Sequence, residues 1–225
     1  MVSGTWGAAA PPFTAYGFDE HSSTYESPDP DPLLTATDWI WSPKDSIKRW
    51  ERTGYFVDKT LEFLKRHKGT PCFVNLWPDD MHTPWVPDET QQSVFPKGAE
   101  SEDNFKAVLK EYDRQIGRLL DGLKQIGEEN NTIVIFTSDN GPLPTFDGRR
   151  SGFKRGSKLS LYEGGIGLPF IIRWPGHIKK NKVDSLSVIS NLDIFPTIAS
   201  IVGVPMPPMF SFDGINKKGV WINQP

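Results

Sequence analysis

A long amphipathic helix followed directly by an apolar strand is the feature that most constrains the fold of this chain. Over residues 103–126 the apolar side chains recur every three or four positions and form one stripe, which Gly127 ends. Residues 132–137 then form a β-branched, continuously apolar run that is typical of a strand covered on both faces. The same patterns predict helices over 45–68 and 192–202 and strands over 72–77 and 168–174, with 185–189 as a further candidate strand. The alternation predicts an α/β fold with a mostly parallel sheet and helices on both faces.

This alternation does not extend over the whole chain. Residues 1–43 are rich in proline and glycine and show no sustained period, so we expect a loop-rich opening segment there. Residues 27–32 within it cannot be helical, because each proline restricts the residue that precedes it. We therefore expect an α/β domain over 44–205 and a tail over 206–225.

Composition excludes several classes of function. A net charge of -3 spread over 225 residues gives no general attraction to nucleic acid. No run of eighteen apolar residues occurs, so no transmembrane segment is expected. The N-terminus lacks the basic start and apolar stretch of a signal peptide, which leaves the compartment undetermined. Cys72 is the single cysteine; it excludes an internal disulfide, and we expect a buried, packed thiol in strand 72–77.

Polar side chains follow two of the predicted strands at the point where each strand ends. Asp139 and Asn140 come after strand 132–137, and His82 comes shortly after strand 72–77. In largely parallel α/β sheets, ligands bind outside the carboxyl ends of the strands. Two polar clusters at such ends predict a functional site on that edge of the sheet.

Asp139 and Asn140 supply a carboxylate and a carboxamide, which are the oxygen ligands that calcium and magnesium prefer. Gly141 after them allows the backbone to turn sharply. The alternative interpretation is that Asp-Asn-Gly is ordinary turn chemistry with no ligand.

Lys158 lies on a loop between Gly156 and the pair Gly164-Gly165. Its ammonium group is a compact charge with three donors and suits a tetrahedral oxyanion, although a surface lysine is the simpler alternative. His82 could donate to an anion or transfer a proton, but a structural histidine in a proline-rich loop fits equally well.

Several short motifs follow one another along the chain. They are Gly17-Phe18-Asp19, His82-Thr83-Pro84, Ser138-Asp139-Asn140-Gly141, Gly156-x-Lys158 with Tyr162-Glu163-Gly164-Gly165, Pro169, Arg173-Trp174-Pro175-Gly176 and Asp193-Ile194-Phe195-Pro196-Thr197. This series resembles the sulfatase family of the alkaline-phosphatase-like superfamily. The resemblance implies the alkaline-phosphatase-like α/β fold and the hydrolysis of sulfate esters.

The resemblance also assigns roles to individual residues. It implies a bound Ca²⁺ or Mg²⁺ held partly by Asp139 and Asn140, a sulfate-binding lysine at Lys158 and a sulfate-contacting histidine at His82. The family's nucleophile is the hydrate of formylglycine, which is made from the first residue of a Cys/Ser-x-Pro-x-Arg motif. Relatives are often secreted or periplasmic.

The chain departs from the family pattern at several places. No Cys/Ser-x-Pro-x-Arg occurs, so formylglycine is not encoded in these 225 residues. Gly4-Thr5-Trp6-Gly7 stands where the family has Gly-Lys-Trp-His, and Gly167 stands where an arginine is common. The family's early paired aspartates would lie upstream of Met1, and its C-terminal subdomain would follow residue 225. We therefore expect a truncated sulfatase domain that is inactive alone.

The expected partner is a sulfated small molecule or carbohydrate, which the polar, tryptophan-rich loops around Trp77 and Trp85 indicate. A phosphoester hydrolase of the same superfamily is an alternative. A non-catalytic remnant or binding module that keeps an anion pocket is another.

Overall fold

The computed structural model describes residues 1–4, 10–25, 27–35, 45–91 and 100–222. The chain divides into two compact units, Met1–Glu129 and Asn130–Pro225, and each is described by itself. Three of the four residues in the Gly4-Thr5-Trp6-Gly7 segment lie outside the described residues. No helix in the described part of the chain is long and apolar enough to cross a membrane.

The first unit contains a three-stranded parallel sheet. Strand β1 (Val2–Gly4) lies between β2 (His21–Ser23) and β3 (Asn75–Trp77), and Val2 is in register with both His21 and Asn75. The parallel pairing agrees with the sequence prediction. Strands β1 and β2 belong to the segment in which no strand was predicted, because three residues are too few to show an alternating pattern.

The described part of this unit has two α-helices, α1 (Arg52–Arg66), which contacts β1 and β3, and α2 (Glu102–Gln125), which packs against α1. A short 3₁₀ turn, Arg49–Glu51, leads into α1. The Ser101 side chain caps α2 by accepting a hydrogen bond from the Asn104 amide at 3.1 Å. Helix α2 matches the predicted helix 103–126 to within one residue at each end, whereas α1 begins seven residues after the start predicted at residue 45 and ends two residues before 68.

Glycine allows α1 and α2 to pack closely. A Cβ atom on Gly122 of α2 would lie 2.5 Å from the methyl carbons of Leu61 on α1. Gly54 of α1 faces Gln115 of α2 in the same way, with its Cβ position 3.0 Å from the side-chain nitrogen. The helix interface therefore depends on the absence of two side chains.

The core of the first unit corrects two expectations. Trp85 is 1% exposed and packs edge-on against Phe105, so it is a core residue and not a sugar-binding surface residue. Cys72 is exposed, because β3 begins only at Asn75 and the residues before it do not pair in the sheet. Its thiol donates to the Thr70 carbonyl at 3.3 Å. The prediction of a buried, packed thiol was wrong.

The second unit contains a two-stranded sheet and three helices. Strands β4 (Val134–Phe136) and β5 (Ile171–Arg173) pair antiparallel, unlike the parallel strands of the first unit. The helices are α3 (Glu163–Ile166), α4 (Ile194–Val202) and α5 (Lys218–Trp221). Residues 185–189 form no strand, which corrects the candidate strand there. The amides of Leu186 and Ser187 instead donate to the Asp184 carboxylate at 2.9 Å, in a local turn.

Apolar side chains of the second unit are largely exposed. Among its described residues, the buried hydrophobic side chains are those of Ala199 and Trp221. Leu159, Leu161 and Leu186 are each at least 90% exposed. Strand β4 is only half-buried, so the sequence pattern of a doubly covered strand is not realised within this unit.

Candidate anion and metal site

The loop after β4 carries Asp139 and Asn140 and is held in place by Asn191. The Asn191 side chain donates to the backbone carbonyl of Ser138 at 2.9 Å and accepts from the Thr137 hydroxyl at 3.3 Å. Asn191 lies in a 3₁₀ turn, Asn191–Asp193, that leads into α4. The Ser138 hydroxyl adds a bond to the Asp139 carboxylate at 3.2 Å. These contacts fix the position at which the two candidate ligands leave the strand.

The orientation of Asn140 suits a cation. Its side-chain NH₂ group donates to the Gly141 carbonyl at 2.9 Å, which leaves the amide oxygen on the other side of the carboxamide. Asp139 beside it is exposed. Within the described ranges no three His, Cys, Asp or Glu side chains converge as a metal site. Asp139 and Asn140 by themselves therefore provide only part of the about six to eight oxygens that calcium takes.

Three glycines allow this loop to interlock with the loop that carries Lys158. The Gly141 amide donates to the Gly165 carbonyl at 2.8 Å. A Cβ on Gly141 would lie 2.0 Å from the Gly164 carbonyl oxygen, and one on Gly164 would lie 2.0 Å from that of Gly156. The two backbones pass so closely that no side chain could occupy these positions.

The backbone of Lys158 is hydrogen-bonded to the loop that follows β4. Its amide donates to the Pro142 carbonyl at 2.8 Å, two residues beyond Asn140. The side chain is half-buried, and Leu159 after it has a positive φ of 72° that turns the chain sharply. The structure thus brings the loop bearing Lys158 directly against the turn bearing Asp139 and Asn140.

An arginine and a tyrosine brace the Lys158 loop from its outer side. The Arg155 guanidinium lies 3.8 Å from the centre of the Tyr162 ring and also donates to its hydroxyl at 2.8 Å. The Gly164 amide donates to the Arg155 carbonyl at 2.7 Å. Together these contacts close the loop between residues 155 and 164.

His82 lies in the first unit, on the turn that follows β3. Its backbone amide donates to the Asp79 carbonyl at 2.9 Å and closes the turn. The ring nitrogen Nδ1 lies 2.8 Å from the Thr83 carbonyl oxygen. Because a carbonyl can only accept, Nδ1 carries the proton and Nε2 faces away from Thr83. The imidazole is exposed.

Buried charges hold this turn from below. Arg49, which is 2% exposed, donates to the backbone carbonyls of Asp79 and His82 and forms an ion pair with the Asp79 carboxylate. Arg52 also approaches that carboxylate, at 3.4 Å. The Asp79 carboxylate is therefore paired with two buried arginines.

Asp80 occupies a different environment from its neighbour. It is 5% exposed and accepts a hydrogen bond from the Thr53 hydroxyl. Burial, together with the charge of Asp79, raises the pKa of Asp80 to about 6. Burial and the charge of Asp80 in turn raise the pKa of Tyr112 to about 12. Asp80 is thus a structural carboxylate in contact with α1.

Sequence reasoning did not find Arg49 or Asn191 as positioning residues. Arg49 precedes α1 and resembles an ordinary surface cation at a helix start, and Asn191 resembles a helix cap. Their partners lie about 30 and 50 residues away in the chain, so no local pattern could have identified them.

These features define an α/β domain in which the turn carrying Asp139 and Asn140 is hydrogen-bonded to the loop carrying Lys158. The sequence model described as Sulfatase matches residues 15–204, and the chain belongs to the sulfatase family. The predicted family is thereby confirmed.

Individual relatives agree with this assignment. The chain is 32% identical over 182 residues to an N-acetylgalactosamine-6-O-sulfatase of Bacteroides thetaiotaomicron, a match that covers 75% of this chain and 34% of that protein. A solved structure from work on the metabolism of multiple glycosaminoglycans by the same bacterium is 29% identical, with a TM-score of 0.66 over 80% of this chain and 38% of that one. The crystal structure of Ps i-CgsB is 23% identical and has a TM-score of 0.76 over 99% of this chain and 54% of that one.

These matches confirm the predicted alkaline-phosphatase-like α/β fold. The 225 residues span about a third of the length of the curated relative and about half of that of the last structure.

Proposed function

We propose that this chain is part of a sulfuric ester hydrolase, which converts R-O-SO₃⁻ and water into R-OH and sulfate. The observation that supports it best is the 2.8 Å bond from the Lys158 amide to the Pro142 carbonyl. That bond holds the backbone of the loop bearing Lys158 against the turn that carries Asp139 and Asn140. The matching family model is described as Sulfatase, and a relative that is 32% identical over 182 residues is an N-acetylgalactosamine-6-O-sulfatase.

In this proposal Lys158 and His82 contact the sulfate group of the substrate. Lys158 contributes a fixed positive charge, and the Nδ1 bond of His82 to Thr83 sets which ring nitrogen reaches the ligand. Both contacts would offset negative charge on the transferred sulfuryl group.

A divalent ion would be held partly by Asp139 and Asn140. These side chains provide about two or three of the six to eight oxygens that calcium takes, so the remaining ligands must come from elsewhere in the complete protein or from water. When bound, the metal supplies charge that stabilises the anionic centre.

We further propose that the 225 residues do not turn over sulfate esters alone. The formylglycine motif does not occur in them, and replacing an activated nucleophile by bulk water costs many orders of magnitude in rate. The incomplete set of metal ligands should also lower the activity, because it binds the metal ion more weakly than a complete set.

A sulfated carbohydrate is the substrate class that we favour. The supporting observation is the 32% identity to an N-acetylgalactosamine-6-O-sulfatase, whose name specifies a sulfated sugar. A phosphoester remains the alternative within the superfamily, because the fold alone does not decide between sulfate and phosphate. The spacing from Lys158 to Glu163-Gly164-Gly165 favours sulfate.

A non-catalytic binding module is the second candidate function. It is supported by one observation, the presence of an anion-binding loop in 225 residues that contain no nucleophile motif. Reading the coding sequence upstream of Met1 separates the two. An in-frame Cys/Ser-x-Pro-x-Arg supports the hydrolase, and an in-frame stop codon supports the module.

Titration of the protein with inorganic sulfate in the presence of Ca²⁺ tests the anion site. We expect NMR shifts of the Lys158 and Gly165 amides, lost in Lys158→Ala and retained in the control Lys179→Ala, which removes an exposed lysine of the same unit. An aryl sulfate assay on the same samples should give no turnover. If the sulfate-induced shifts persist in Lys158→Ala, the proposed anion site is wrong. If the unchanged protein hydrolyses the aryl sulfate well above the level of Lys158→Ala, the proposed inactivity is wrong.

A further inference from the structure

The segment 146–163, here called the basic loop, has a net positive charge, whereas the chain as a whole is negative. It carries five cations, Arg149, Arg150, Lys154, Arg155 and Lys158, against two acids, Asp147 and Glu163. Its net charge is therefore +3, whereas the other residues together carry -6 to give the total of -3. A local excess of this size attracts anions to one part of a protein that otherwise repels them.

The basic loop has a defined backbone. Phe146, Asp147 and Phe153 adopt positive φ values of 55–61°. The Phe153 amide donates to the Gly148 carbonyl at 3.1 Å, and the Ser151 hydroxyl donates to the same carbonyl at 2.9 Å. Positive φ values in non-glycine residues require support from their surroundings, and these hydrogen bonds provide it.

The charged groups are presented to solvent in preset orientations. Arg149, Lys154 and Arg155 are exposed, while Lys158 is half-buried at the candidate site. Arg149 is oriented by the bond from its Nε to the Phe146 carbonyl at 3.1 Å, and Arg155 is oriented by Tyr162. A side chain that is already held in place loses less conformational entropy when it binds.

An aromatic residue also belongs to the basic loop. Phe153 is 75% exposed and stands directly before Lys154 and Arg155. A flat apolar ring flanked by cations suits a ligand that alternates apolar ring faces with anionic groups. Anionic sugars have this character, because the C–H face of each ring is apolar and its substituents are charged.

We propose that the basic loop is a second anion subsite, which binds a sulfate or carboxylate of a neighbouring sugar unit while Lys158 holds the reacting sulfate. The inference rests on the proposed function. It specifies the substrate as an oligosaccharide with several anionic groups, bound through Arg149 and Lys154, with Phe153 against a sugar ring. A monosulfated small molecule fills the Lys158 site alone.

Fluorescence anisotropy with a labelled, multiply sulfated chondroitin hexasaccharide tests this subsite. We expect the double variant Arg149→Gln/Lys154→Gln to bind it about tenfold more weakly and with a shallower salt dependence. The control Lys179→Gln/Lys180→Gln removes the same charge from exposed positions of the same unit and should bind as the unchanged protein does. Near-UV circular dichroism verifies that both variants are folded.

The remaining arms separate the two proposals. Binding of a monosulfated monosaccharide, followed by NMR, should require Lys158 and be unaffected by the double variant. If the double variant binds the hexasaccharide like its control, the subsite is overturned and the proposed function stands. If Lys158→Ala leaves monosaccharide binding unchanged, the proposed function fails. A single-stranded polynucleotide that binds as tightly as the hexasaccharide would also overturn the sugar subsite.

Discussion

The guanidinium of Arg49 donates through Nη2 to the backbone carbonyl oxygen of His82 at 3.2 Å. The same nitrogen donates to the carbonyl of Asp79, so one buried side chain holds both ends of the turn on which His82 is carried. The position of the imidazole therefore depends on a residue 33 positions earlier in the chain.

Arg49→Met should lower the free energy of unfolding of the protein by about 3 kcal/mol. The substitution leaves the nearly buried Asp79 carboxylate without its principal partner and removes the hydrogen bonds to the carbonyls of Asp79 and His82. Urea denaturation followed by tryptophan fluorescence measures the effect. Arg118→Met is the matched control, because its ion pair with Asp58 is exposed and should contribute less than about 1 kcal/mol. Equal losses in the two variants would contradict the role of Arg49.

The raised pKa of Asp80 predicts that stability falls as pH rises from about 4 to about 6. Burial and Asp79 raise the pKa to about 6, so the folded state holds the proton more tightly than the unfolded chain with its ordinary value of 3.8. Folding is then favoured while the group is protonated, and up to about 3 kcal/mol is lost between the two values at 1.36 kcal/mol per unit.

Asp80→Asn isolates this contribution. The free energy of unfolding of the unchanged protein, minus that of the variant, should fall between pH 4 and pH 6 and stay constant above pH 7. Urea denaturation measures both free energies. Asp58→Asn, at an exposed carboxylate of the same unit, serves as the reference. A stability difference that does not change with pH would refute the assignment to Asp80.

Gly141→Ala should separate the two loops of the candidate site. The added Cβ would lie 2.0 Å from the Gly164 carbonyl oxygen and 2.8 Å from the Gly165 Cα, and backbone atoms cannot rotate aside as a side chain can. We expect a loss of about 2 kcal/mol or more and the disappearance of sulfate-induced shifts at Lys158. Gly219→Ala in α5, where a Cβ meets nothing within 4 Å, should retain the shifts and should not lower the free energy of unfolding, because only helix propensity acts there. Retained shifts in Gly141→Ala would show that the loops do not require close contact.

The long elements of this fold could be predicted from the sequence because their pattern repeats. Helix α2 has six to seven turns, so a single misplaced residue does not obscure its stripe. The strands have three residues each, which explains why 134–136 was predicted too long and β1 and β2 were not predicted. Cys72 was misplaced for the same reason, since its apolar run begins before the pairing does.

The candidate site could be predicted only in part. Asp139, Asn140 and Lys158 were identified from residue chemistry and motif order, and their functional roles stay a prediction. The interlocking of the two loops was not predicted, because a glycine in a sequence does not show whether it serves a turn or a close approach. Asn191 was missed because its contacts with Thr137 and Ser138 depend on the tertiary structure.

Two glycines of α2 give a final test, in which the same substitution should have opposite effects. At Gly122 the new Cβ would lie 2.5 Å from two methyl carbons of Leu61, a flexible side chain that can move only by giving up its packing against the helix. We expect Gly122→Ala to lower the free energy of unfolding by about 1–3 kcal/mol.

At Gly117 a Cβ meets nothing within 4 Å, so helix propensity alone decides the effect. Gly117→Ala should therefore raise the free energy of unfolding by about 0.5–1 kcal/mol. The double variant Gly122→Ala/Leu61→Ala should recover part of the loss at Gly122, because it removes the methyl groups that clash. Urea denaturation of the four proteins measures each difference. A stabilising Gly122→Ala would show that α1 and α2 are not packed as closely as these atoms require.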